Sequence, residues 1–102
     1  MKTSINAWSV KGDTGFEEMF AQISAAGFDG IELNVDAPGT AHGLHMDMTD
    51  GDIAAIRALS EQYKLPVVSI STSQTANMWG DNDPAVREKV KALVRKQIYF
   101  AE

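Results

Sequence analysis

The chain has 102 residues, 44% hydrophobic and 23% charged, the balance of a soluble globular domain of common size. A formal net charge of -5 argues against general affinity for nucleic acid or an anionic membrane, and the lack of cysteine removes disulfides, thiolate metal sites and thiol nucleophiles. No targeting segment or apolar run of membrane-span length is visible, so a cytoplasmic protein is expected, with no nucleic acid and no membrane among its partners.

Residues 3–8 are short, partly alternating and followed by Gly12-Asp13, which predicts a strand and then a loop. Thr14-Gly15-Phe16-Glu17 has the spacing of a capping box, with the Thr14 hydroxyl expected to accept from the Glu17 backbone N–H. Phe16, Met19, Phe20 and Ile23 recur at helical spacing, and Gly27 supplies a left-handed stop. Ile31, Leu33 and Val35 alternate with Glu32, Asn34 and Asp36, the period-2 pattern of a second strand, which Pro38-Gly39 breaks. Thr49-Asp50 opens a second helix with the stripe Ile53, Ile56, Leu59 and Tyr63, and Pro66 forbids its continuation. Residues 67–72 are β-branched and serine-rich, so they read as a third strand. Asp83-Pro84 pairs an N-cap with proline at the first helical position; Val86, Val90, Leu93, Val94 and Gln97 then mark one face of a last helix.

The order is therefore three consecutive βα units, an α/β arrangement that favours a parallel sheet. No linker divides it, so residues 1–102 read as one domain or a piece of one. The helix-to-strand joins (27–30 and 64–66) are short, whereas the strand-to-helix joins (36–49 and 73–82) are long. In parallel α/β proteins, elaborated loops gather at the carboxyl ends of the strands, where ligands bind. The strands also have two unlike faces. Ile31, Leu33 and Val35 should pack under helices and leave Glu32 and Asn34 opposite; Ser4, Asn6 and Trp8 oppose Ile5 and Ala7, while Ser69 and Ser71 oppose Val68 and Ile70. A doubly wound sheet, covered on both faces, reads as continuous apolar runs. Two readings remain: a barrel whose lumen opens into a polar pocket, which fits better, or a two-layer sheet wetted on its bare face.

Residues 3–9 (Thr-Ser-Ile-Asn-Ala-Trp-Ser) and 26–33 (Ala-Gly-Phe-Asp-Gly-Ile-Glu-Leu) resemble the start of the sugar phosphate isomerase/epimerase superfamily, the xylose isomerase-like (β/α)8 TIM barrels. Leu65-Pro66-Val67-Val68-Ser69-Ile70 is similar to the entry to the third strand there, and Asp83-Pro84-Ala85-Val86-Arg87 to the start of the third helix. The resemblance implies the N-terminal part of a TIM barrel, about three-eighths of a fold of roughly 250 residues, ending before strand four. It also implies proton transfer beside the carbonyl of a small carbohydrate, with a divalent metal (Mn, Mg, Co or Zn) stabilising the enediolate. The family's metal ligands and acid/base glutamates lie on later strands. No catalytic or metal-binding residue is therefore carried over to this chain, which alone is expected to be inactive. Pocket-lining positions are carried over: Asn6 and Trp8 at the end of the first strand, Glu32 on the second and Trp79 in the third strand-to-helix loop.

Each of these has a plainer reading. Glu32 is either a pocket carboxylate or a solvated charge on an uncovered strand, and Trp8 and Trp79 either wall a pocket or bury area. His42, His45 and Asp47 form an H-x-x-H-x-D cluster suited by type to zinc or manganese, but in a Gly/Pro-rich loop; solvent-exposed polar residues are the expectation. Arg87, Lys89, Lys91, Arg95 and Lys96 fall off the last helix's apolar stripe and read as its wet face. Neither a nucleophile elbow nor a glycine-rich phosphate loop occurs, which weakens hydrolase and nucleotide-binding readings. The rival to an isomerase segment is a non-catalytic module that forms homo-oligomers through its open sheet edges.

Overall fold

The apolar set on the second strand organises the molecule. The structure, a computed structural model, describes residues 1–36, 40–72 and 80–102. Its elements are β1 (Ser4–Asn6), α1 (Phe16–Ala25), β2 (Gly30–Val35), α2 (Asp50–Gln62), β3 (Val67–Thr72) and α3 (Pro84–Ala101). The strands form one parallel sheet in the order β1-β2-β3, with β2 in the centre. Ile31, Leu33 and Val35 are at most 2% exposed and join Met19, Phe20, Ile23, Ile56, Leu65 and Phe100 in a single core. Burying each such side chain stabilises the fold by about 1.5–3 kcal/mol. The three strands run as expected, and the helices cover one face.

Both connections from helix to strand are closed by left-handed residues. After α1, Gly27 has φ 89°, its N–H donates to the Ser24 carbonyl at 3.1 Å, and Phe28 N–H reaches the Ile23 carbonyl at 3.4 Å. This double bond pattern satisfies carbonyls that the helix end would otherwise orphan. The same motif ends α2: Lys64 N–H donates to Glu61 at 3.3 Å and Leu65 N–H to Ser60 at 3.0 Å. Here the left-handed position is held by Lys64, φ 52°, in a conformation glycine adopts more cheaply.

Helix starts agree with the sequence in two cases of three. Thr49 and Asp52 form a reciprocal capping box on α2, and those bonds to Thr49 hold the Asp52 carboxyl below its ordinary value. Asp83 accepts from the Ala85 N–H at 2.9 Å at the start of α3, with Pro84 at its first position. The capping box expected at Thr14 does not form. Gly15 is the N-cap, since its carbonyl accepts the first helical bond from Met19, and it offers no side-chain cap. Thr14 lies one residue outside, buried, with its carbonyl committed to His42.

Two further expectations need correction. The first strand is only Ser4–Asn6; Ala7–Ser9 turn into a single 3₁₀ turn because the Asn6 side-chain carbonyl accepts the Trp8 backbone N–H at 2.8 Å. On β3 the register slips: Ile31 pairs with Val67 but Glu32 with Ser69, leaving Val68 as an extra residue. Val68 therefore does not share the helix-covered face of Ile70. It is 57% exposed, and its Cγ1 lies where a side chain on Gly30 would start.

The last helix buries Val90, Leu93 and Phe100, and Gln97 donates to Thr72 at 3.2 Å. Four of its five central cations are exposed, but Lys96 is not simply solvated. Its ammonium donates to the Met48 carbonyl at 2.8 Å and sits 4.4 Å from the Tyr99 ring centroid, while Tyr99 donates to the Asp50 carboxylate. These contacts tie the end of α3 to the start of α2. Among the described residues, no helix is long and apolar enough to cross a membrane.

Candidate functional site

On the sheet face opposite the core, each strand contributes a polar side chain at the same level. Parallel pairing sets Asn6 of β1 beside Glu32 of β2 and Glu32 beside Ser69 of β3. The Asn6 amide donates to Glu32 Oε1 at 2.5 Å, and the Ser69 hydroxyl donates to Glu32 Oε2 at 2.6 Å. Asn34, two residues along β2 and only 1% exposed, exchanges bonds with Asn6: Nδ2 to Oδ1 at 2.9 Å and the reverse at 3.1 Å. One carboxylate is thus braced from both sides by neutral donors. The Ser69 bond, then the Asn6 bond, hold its carboxyl below the ordinary value, outweighing the opposite effect of desolvation. Among the described residues the one ion pair is Lys91–Glu88 on α3, so no cation neutralises Glu32 there. Each of its oxygens keeps a lone pair for a further donor.

Trp8 stands just beyond the end of β1. Its indole N–H donates to both carboxylate oxygens of Asp36, at 3.0 and 3.1 Å, while the residue remains 50% exposed. Half exposed, Trp8 does not act as a buried filler of the core. Asp36 was not singled out by the sequence; its place immediately after β2, across from the end of β1, is the signal that would have found it. Trp79, the fourth candidate, lies outside the described residues, as do Pro38 and Gly39.

The described residues 40–49 of the loop after β2 carry more hydrogen bonds than a solvated loop would need. His42 is 1% exposed, not a solvated loop residue, and its Nδ1 faces the Thr14 carbonyl at 2.9 Å. His45 sets Nδ1 against the Asp36 carbonyl at 3.3 Å and Nε2 against the Thr40 carbonyl at 3.2 Å. His45 thus turns both ring nitrogens to backbone carbonyls and His42 its Nδ1, while Asp47 is exposed. Among the described residues, no three His, Asp or Glu side chains are grouped to hold a metal.

A cavity of about 400 Å³ opens on the helix-covered side, lined by Leu33, Ile53, Ile56, Ile70 and Phe100 among others. Arg57, Ser60, Ser69 and Glu102 line it as well, so its wall is mixed rather than purely apolar. The polar cluster lies on the opposite sheet face, with Asn6 at the carboxyl end of β1 and Glu32 and Ser69 midway along β2 and β3, and its hydrogen bonds across all three strands make it the candidate site. No curated protein matches the chain. A family model does: that of the xylose isomerase-like TIM barrel, over residues 20–102. That match spans β2 with Glu32, the long loop after it and both later βα units, and with the parallel β1-β2-β3 sheet it places this chain in the xylose isomerase-like TIM barrel family.

Proposed function

We propose that this chain is the N-terminal segment of a metal-dependent isomerase or epimerase of sugars or sugar phosphates, and that its own part is to line the substrate pocket. The observation that carries this reading is the Glu32 carboxylate braced by Asn6 and Ser69 beside the Asn34 amide. A polyol presents hydroxyls that both donate and accept. A fixed carboxylate with spare lone pairs, adjoining amides and a hydroxyl, matches that need. The proton transfer is not assigned to these residues. Glu32 is held ionised by hydrogen bonds and is a poor proton carrier near neutrality. Among the described residues, no three His, Asp or Glu side chains are grouped to hold the metal. On this reading, the ligands and the acid/base pair come from later strands of the complete barrel.

The test has two parts, both on the purified chain. Titration with D-fructose should shift the side-chain amide NMR signals of Asn6 and Asn34, with an affinity weakened by Glu32→Gln. Incubation with Mn²⁺ and D-fructose in D₂O should leave the sugar's C–H positions undeuterated. Shifts confined to the helix side, or efficient deuterium incorporation, would overturn the assignment of roles.

A second reading, a module that assembles through its sheet edges, is favoured by Val67 and Val68, 36% and 57% exposed on the outer strand β3. Light scattering across a concentration series separates the two. A monomer at high concentration rejects edge assembly, whereas a dimer lost on Val68→Lys supports it.

A further inference from the structure

We propose that Asp36 is a positioning residue, which fixes the Trp8 indole as a stacking platform for the carbon face of a carbohydrate at the mouth of the strands. The inference rests on the pocket reading above and adds to it how the platform is held. Trp8 is anchored at both ends. Its backbone N–H is taken by Asn6 Oδ1 at 2.8 Å, the same Asn6 that donates to Glu32. Its indole N–H is taken by the Asp36 carboxylate, a charge-assisted bond stronger than one to a neutral acceptor. With the N–H satisfied, what the half-exposed ring offers to a ligand is its apolar face. That is the complement of the C–H face of a sugar whose hydroxyls go to Glu32 and the amides.

Asp36 is itself held rigidly. Its N–H donates to the Leu44 carbonyl at 2.9 Å, and Leu44 N–H returns to Asn34 at 2.9 Å. A Cβ added at Gly43 would stand 2.9 Å from both Cβ and Oδ2 of Asp36. Glycine at 43 therefore clears the space in which the carboxylate reaches the indole. A tryptophan whose role was to fill a core would not be half exposed, and one with no orientation to keep would not need an acceptor from another strand.

The experiment follows the Trp8 indole N–H resonance, assigned by Trp8→Phe, during titration of the chain with D-fructose. In the wild type the resonance should shift together with the Asn6 and Asn34 amides. Asp36→Ala should weaken the affinity about three- to tenfold, the range expected for one misplaced aromatic contact. Asp36→Asn keeps a carbonyl acceptor and should restore most of it, and Gly43→Ala should resemble Asp36→Ala. In a Trp8→Phe background, Asp36→Ala should have no further effect, which a merely structural aspartate would not satisfy. Amide shifts without an indole shift, or equal affinity for Asp36→Ala, would overturn the platform and leave the pocket reading standing. No shift at any of these signals would reject both.

Discussion

Gly30 offers the sharpest test of the packing around the site. It is buried at the start of β2, and a Cβ there would lie 2.7 Å from Val68 Cγ1 and 3.2 Å from the Pro66 carbonyl oxygen. That carbonyl accepts the Ile31 N–H at 3.0 Å, so it cannot retreat without loosening the β2–β3 ladder. Inserting a methyl into such a space costs about 1–3 kcal/mol. Replacing glycine also reduces the freedom of the unfolded chain, which offsets about 0.4–1 kcal/mol. Gly30→Ala should therefore destabilise by about 1–2 kcal/mol net, a fall in Tm of roughly 5–10 °C for a chain of this size. Val68 is the movable partner and is more than half exposed, so Val68→Ala alone should cost under about 1 kcal/mol. The double variant removes the 2.7 Å contact and should recover about 1 kcal/mol or more relative to the sum of the single effects. Urea denaturation followed by circular dichroism at constant m-value measures all three. Additive effects, or a Gly30→Ala chain as stable as the wild type, would refute the close approach and with it the register slip that puts Val68 there.

Glu32→Gln should cost stability at neutral pH and progressively less in acid. A carboxyl whose folded value lies below its unfolded one contributes stability above the unfolded value, and that contribution is lost as pH falls through the folded value. The gap between wild-type and variant urea midpoints should thus be widest near pH 7 and close below the ordinary carboxylate range; a gap independent of pH would count against the braced carboxylate. Lys64→Gly should raise stability by about 0.5–1 kcal/mol, because the left-handed conformation after α2 is strained for any residue with a Cβ. Thermal melts check this, and an unchanged or lower Tm would reject it.

The elements most legible in the sequence are those set by periodicity alone. Ile31, Leu33 and Val35 needed only the two-residue repeat to be placed under the helices, and the same repeat put Glu32 and Asn34 on the other face. Thr49, Asp83 and Gly27 carry local chemistry that acts within a few residues, so they too were readable. What escaped is what depends on a neighbouring strand. The extra residue at Val68 is a property of the β2–β3 pair, and alternation along β3 alone cannot reveal it. Thr14 shares its pattern with Thr49, yet its carbonyl is drawn to a histidine 28 residues away. His42, judged by its glycine-rich surroundings, looked solvated, whereas a long-range partner buries it. Asp36 was passed over because its indole partner comes from beyond the end of β1, and only its place just after β2 hinted at that pairing.

These long-range bonds make the mouth a preformed surface. The loop after β2 is fastened to the loop after β1 by Ala41 N–H to the Gly12 carbonyl at 3.0 Å and by His42 to Thr14 at 2.9 Å. Leu44 is then laid beside Val35 as a short parallel bridge. Each bond adds only about 0.5–1.5 kcal/mol net, but together they fix residues 41–45 at several points, so releasing the loop would mean breaking most of them at once. The polar cluster acts likewise across the sheet, with Asn6 bonded at once to Glu32, Asn34 and the Trp8 backbone. On the proposed pocket reading, a ligand would find carboxylate, amides and indole already in place, and would lose little of its binding energy to ordering the protein.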